Sequence, residues 1–194
     1  MKLYTAPKSG NGYKVELFLN LLGLEFERIY VDLPNGAHKT ADYMAMNPRG
    51  QVPVLEDDGL HLWESQSILV YIAKKYAPES WLPQEPAALA ETIRWLSFSG
   101  AENEGLALAR RIRLYGRDDD LTPHQTLGIQ GLKLIEGQLA NNKFLAGQHP
   151  TVADMACYPY VAMAGEGEID IAPYTHIHRW IDRVQNLPGY INLP

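Results

Sequence analysis

Ser9 stands in a polar loop, Pro7-Lys-Ser-Gly-Asn-Gly12, ahead of an apolar helical repeat. A hydroxyl there can donate to a thiolate, and the N–H groups of a following helix add positive potential. Read alone, a Ser-Gly pair in a loop is turn chemistry. Asn11 lies two residues on in the same loop. Glu64-Ser65 opens another helix. A serine in that place is an N-cap, but the same place also suits a carboxylate, because free N–H groups and the helix dipole point at it. Between these stretches lies Val52-Pro53. Proline lacks an N–H and does not fit a central strand. Either Pro53 is trans on an edge strand, or the bond is cis and the N–H and C=O of Val52 face outward, free to pair with an extended peptide.

Regular elements must position these residues. Asn47-Pro48-Arg49-Gly50 is a turn, because proline fixes φ and glycine allows positive φ. Val52–Leu55 reads as a short strand, Asp57-Asp-Gly59 as a hairpin turn and Leu60–Trp63 as the return strand. A helix follows with Ile68, Leu69, Tyr71 and Ile72 on its apolar side, ending near Tyr76. Upstream, Lys2–Thr5 and Phe26–Asp32 are strands flanking a helix from Tyr13 to Gly23, with Val15, Phe18, Leu19 and Leu22 on the 3.6 period. That spacing predicts a βαβ unit. Thr40–Met46 suits a short helix. The order is β-α-β-α-β-β-α over residues 1–77.

Residues 78–86 close a stretch with three prolines in ten residues and read as a linker. Beyond it, residues 87–194 show no strand pattern and predict an all-α domain. One long helix is expected from Ala87 to about Leu114, and another from Pro123 to Ala140. A third runs from Thr151 to Ala164 with Pro159 inside as a kink or break, and a last one from Tyr174 to Val184. Thr151-Val-Ala-Asp154 has the form of a capping box, so Asp154 is expected to be structural.

Composition excludes several classes. A chain of 194 residues with 46% apolar and 10% aromatic residues has material for a packed core. A net charge of −6 without a basic block argues against nucleic acid or an anionic membrane as partner. No apolar run is long enough to span a bilayer, and no secretory signal is evident. Cys157 is the only cysteine, so no intrachain disulfide can form. These features suit a cytoplasmic protein. The histidines lack metal-ligand spacing, so no metal is expected, and no phosphate loop or dinucleotide fingerprint occurs.

Asn47-Pro48-x-Gly50-x-Val52-Pro53-Val54-Leu55 followed by Glu64-Ser65 resembles the glutathione-binding half of the glutathione S-transferase family. Phe144-Leu-Ala-Gly147, Thr151-x-x-Asp154 and Leu187-Pro-Gly-Tyr190 resemble its C-terminal domain, so the likeness covers nearly the whole chain. It implies a thioredoxin-like α/β domain followed by a helical bundle, a cis Val52-Pro53 bond, glutathione as co-substrate and a homodimer. It also implies transfer of the glutathione thiolate to a small, largely apolar electrophile, as in detoxification. Ser9, five residues ahead of Lys14-Val15, matches the thiol-activating serine of some members, with Asn11 as the alternative. Val52 is expected to pair with the cysteinyl backbone. Ser65 is expected to hold the γ-glutamyl carboxylate, Glu64 its ammonium, and Gln51, His38 and Lys39 the glycyl end. Asn103, Leu106 and Arg110 are the candidates for the second-substrate pocket. A disulfide reductase or isomerase on the same site, or a non-catalytic binding module, are the alternatives.

Overall fold

The computed structural model describes residues 1–101 and 103–194. Its contacts divide the chain into two units, Met1–Ala77 with Pro188–Pro194, and Pro78–Leu187.

The first unit is a thioredoxin-like α/β layer structure. Strands β1 (Lys2–Thr5), β2 (Glu27–Tyr30), β3 (Val54–Asp57) and β4 (Leu60–Trp63) form one sheet in the order β2-β1-β3-β4. β1 and β2 are parallel, joined through helix α1 (Gly10–Leu21). β3 is antiparallel to both β1 and β4. The alternation of strand side chains splits the core into two layers. Leu3 and its register partner Leu55 are fully buried, as are Val15, Phe18 and Leu19 of α1 and Ile68, Leu69 and Ile72 of α3 (Ser65–Tyr76). A separate cluster joins Val31, Val54 and Tyr43 of α2 (Ala41–Met46) with Tyr4, Met46 and Val52. The C-terminal residues return to this unit: the Tyr13 hydroxyl donates to the Ile191 carbonyl at 2.5 Å.

The second unit contains α4 (Pro86–Ser99), α5 (Glu104–Leu114), α6 (Thr122–Leu139), α7 (Val152–Ala162) and α8 (Thr175–Gln185). α7 is its spine, since eight of its first eight residues, Val152 to Pro159, are buried. Burial all round identifies a core helix. Tyr158 of α7 meets Trp180 of α8 edge to face at 5.9 Å.

Several boundaries differ from the sequence expectation. The helix expected over 87–114 is two helices: α4 closes at Ser99 with Gly100 as its cap, and α5 opens after Asn103. α1 begins at Gly10 rather than Tyr13, so the polar Gly-Asn-Gly run forms its first turn. A glycine there is no obstacle when a side chain caps the turn. β3 begins at Val54, two residues later than its apolar run suggested. Pro159 does not end α7, which continues to Ala162.

Candidate active site

The strand register gathers the candidate residues of the first unit at one end of the sheet. Tyr4 of β1, Val54 of β3 and Trp63 of β4 form one row, with Ile29 of β2 beyond Tyr4. β1 runs out past this row toward Ser9, and β2 toward His38 and Lys39. β3 enters past it from Val52-Pro53, and β4 leaves through Glu64-Ser65.

Ser9 is the N-cap of α1, and its Oγ accepts the Gly12 N–H at 3.0 Å. That bond uses an oxygen lone pair and leaves the hydroxyl proton to donate. Asn11 lies half-buried in the same turn. The Val52-Pro53 bond is cis. Val52 is half-buried with its side chain against the Tyr43 cluster. Among the described residues its backbone N–H and C=O join no hydrogen bond.

The turn that delivers Val52 is braced from several sides. The Gln51 carbonyl accepts from the Tyr43 hydroxyl at 2.9 Å and from the Asn47 amide at 2.7 Å. The Asn47 Oδ1 accepts the Arg49 N–H at 3.0 Å. Lys39 Nζ donates to the Gly50 carbonyl at 3.2 Å, and the Gln51 side chain is exposed. Sequence reasoning passed over Tyr43 and treated Asn47 only as part of a turn. An Asx side chain bonding its own turn was the available signal.

Glu64 occupies the cap position of α3 with φ 70° and ψ 113°, in the left-handed half of the map that L residues seldom enter. Such a conformation costs about 1–3 kcal/mol and concentrates at functional sites. Its carboxylate pairs with the Arg49 guanidinium. The side chain leaves the α3 N-terminus uncapped, so first-turn N–H groups remain for an anion. Ser65, buried at the first helical position, has its Oγ 3.1 Å from the Gln66 Oε1. His38 is half-buried, and its Nδ1 is buried without a hydrogen-bond partner among the described residues.

In the second unit, the three pocket candidates lie in packed surroundings. Leu106 is 1% exposed and lies against Gly128 of α6. Arg110 is buried and pairs with Glu166 at 2.9 Å. The buried Asn103 donates to the Cys157 carbonyl at 3.3 Å. Their shared helix face is thus largely a packing face. Asp154 completes a capping box, accepting the Thr151 N–H at 2.8 Å, and it also accepts from the Leu145 N–H and the Trp180 indole, both at 2.9 Å. Burial pushes its carboxyl up to about 6, against the pull of those donors. Cys157 is buried, with its thiol 3.6 Å from the Trp95 carbonyl. Among the described residues no cluster of three or more His, Cys, Asp or Glu could hold a metal ion, and no helix is long and apolar enough to cross a membrane.

Comparison with known proteins covers both units. The family model for the glutathione S-transferase N-terminal domain matches residues 1–74, and that for the C-terminal domain matches residues 130–188. Glutathione S-transferase 3 of Zea mays is 35% identical over 98% of this chain and 91% of its own length. A disulfide-bond oxidoreductase of Escherichia coli is 29% identical over 96% of this chain and 91% of its own. A maleylacetoacetate isomerase of Pseudomonas aeruginosa is 28% identical over 98% of this chain and 93% of its own. The crystal structure of a glutathione S-transferase from Pseudomonas fluorescens superposes with a TM-score of 0.91 at 37% identity, covering 99% of this chain and 98% of that one. A glutathione transferase homologue from Lodderomyces elongisporus, solved with two glutathione molecules per subunit, gives 0.87 at 30% identity, covering 97% of this chain and 94% of that one.

Proposed function

Because the chain belongs to the glutathione S-transferase family, we propose that it binds glutathione and directs the glutathione thiolate at a small, largely apolar electrophile. One observation carries this reading. The capped start of α1, the unpaired Val52 peptide groups and the uncapped start of α3 all lie at one end of a single sheet. Those are the three partners a γ-glutamyl-cysteinyl-glycine chain requires: a donor for the thiolate, a backbone edge for the cysteinyl residue, and an anion site for a carboxylate.

In this reading Val52 pairs with the cysteinyl N–H and C=O. The first turn of α3, with Ser65, takes the γ-glutamyl carboxylate, and Glu64 faces the neighbouring ammonium. Gln51, His38 and Lys39 serve the glycyl end. The Ser9 hydroxyl stabilises the thiolate, with Asn11 as the competing donor. The burial of Leu106 and Arg110 supports a packing role for them, so the electrophile pocket is not assigned to these residues. The protein acts as a cytoplasmic homodimer in detoxification.

A second reading, glutathione-dependent disulfide reduction or isomerisation on the same site, is favoured by the activities named for two relatives. The N-terminal loop contains no cysteine, which disfavours a mechanism through a protein thiol. Binding to immobilised glutathione tests the site. Rates with a chloronitrobenzene, a mixed disulfide and a cis-dienoate then separate transfer, reduction and isomerisation. Failure to bind glutathione would remove all three activities and leave the binding-module alternative.

A further inference from the structure

We propose that Tyr43 and Asn47 are positioning residues that aim the Val52 N–H at the ligand by holding the carbonyl of the same peptide unit. The inference rests on the glutathione reading given above. A peptide unit is planar, so the Gln51 C=O and the Val52 N–H point in opposite directions along one rigid plate. Fixing the oxygen fixes the hydrogen. Here the oxygen takes two donors, the Tyr43 hydroxyl at 2.9 Å and the Asn47 amide at 2.7 Å. A carbonyl oxygen has two lone pairs, and both are engaged.

Both donors are rigidly held. Tyr43 is 5% exposed, and its ring packs on Val31 and Val54 and meets Tyr4 edge to face at 6.5 Å. Asn47 is 2% exposed, and its other amide atom is engaged by the Arg49 N–H. The Val52 side chain packs against the same cluster as Tyr43, so the residue is held at its side chain and through the preceding peptide. Burial pushes the Tyr43 hydroxyl up to about 12, which keeps it a donor throughout the neutral range. Donation into a carbonyl also polarises the amide, strengthening its N–H as a donor to the next acceptor in the chain. That acceptor is the cysteinyl carbonyl of the ligand.

The test is a comparison of two ligands on two variants. Tyr43→Phe removes one donor and keeps the ring. Asn47→Asp keeps the acceptor for the Arg49 N–H and removes the other donor. Glutathione is compared by calorimetry with γ-glutamylcysteamine, which keeps the thiol and γ-glutamyl group but has no cysteinyl carbonyl. Tyr43→Phe should weaken glutathione about three- to ten-fold, the range for one lost hydrogen bond. It should leave γ-glutamylcysteamine within about two-fold of wild type. Asn47→Asp should weaken glutathione further. Equal loss for both ligands would reduce Tyr43 to a general packing role and overturn the proposal. Unchanged glutathione affinity in folded Tyr43→Phe, checked by its thermal midpoint, would also overturn it. Absence of glutathione binding by the wild-type chain would instead overturn the reading on which it rests.

Discussion

Ser9 combines a structural and a proposed chemical part in one side chain. Its oxygen accepts the Gly12 N–H that starts α1, and its proton is left for a bound thiolate. A free thiol has a pKa near 8.5. A hydrogen bond to the thiolate is worth roughly 1.5–3 kcal/mol, or about one to two pKa units. Ser9→Ala should therefore raise the pKa of bound glutathione by about that much and lower the rate at neutral pH by about ten-fold or more, with partial recovery at high pH. It should also cost about 0.5–2 kcal/mol of stability as a lost cap. Ser9→Thr, which keeps both functions, is the control. Thiolate absorbance against pH for Ser9→Ala beside Asn11→Ala decides between the two donors. Ser65→Ala should weaken glutathione without abolishing binding, because backbone N–H groups of α3 remain. Calorimetry showing unchanged affinity would remove Ser65 from the site. The placement of Ser9 and Ser65 at helix starts was legible because turn and helix-start chemistry is local, while the roles proposed for them come from the family resemblance. The positive φ of Glu64 was not legible, and of the two donors that brace the Gln51 carbonyl only Asn47 is local, whereas Tyr43 reaches it from α2.

At the scale of elements, Asp154 joins the start of α7 to the Leu145 backbone and to Trp180 of α8. The capping box was readable from four consecutive residues. The other two partners lie 9 and 26 residues away, and no local pattern marks them. Asp154→Ala should cost at least the roughly 0.5–2 kcal/mol of a cap, and more because buried donors lose their acceptor. Turnover of the folded fraction should stay near normal. A carboxyl whose pKa is raised in the folded state binds its proton more tightly there than in the unfolded chain. Folding then takes up a proton between about pH 4 and about 6, and acidification through that window adds stability. Urea midpoints at pH 7 and pH 5 should show a gain in the wild type that Asp154→Asn lacks. The α5–α6 crossing was likewise hidden from the sequence. A Cβ on Gly105 would stand 2.5 Å from the Gly128 backbone nitrogen, so the two helices approach closely at these glycines. Gly105→Ala should lower the thermal midpoint although alanine is the better helix former.

At the scale of the whole molecule, the order of strands and helices followed from hydrophobic periodicity. The division of the 87–114 region did not, because a single glycine such as Gly100 is tolerated inside a helix and does not by itself mark an end. What each unit leaves uncovered bears on assembly. β4 is an edge strand, with Leu60 46% and Trp63 37% exposed, and an open edge invites association. On α4 of the second unit, Ile93 is 42% exposed. A homodimer covers such surfaces in isologous fashion, each patch meeting its own symmetry mate or a fixed partner across a two-fold axis. The expected result of sedimentation equilibrium at micromolar concentration is a species of twice the chain mass. Ile93→Glu places a charge where an interface core excludes it. It should shift the equilibrium toward monomer while glutathione affinity per chain is kept, since the proposed site lies in the first unit. A wild-type monomer would remove the dimer from the proposed function. A stable dimer unaffected by Ile93→Glu would move the interface away from α4, and Leu60→Glu on the β4 edge would then be the decisive variant.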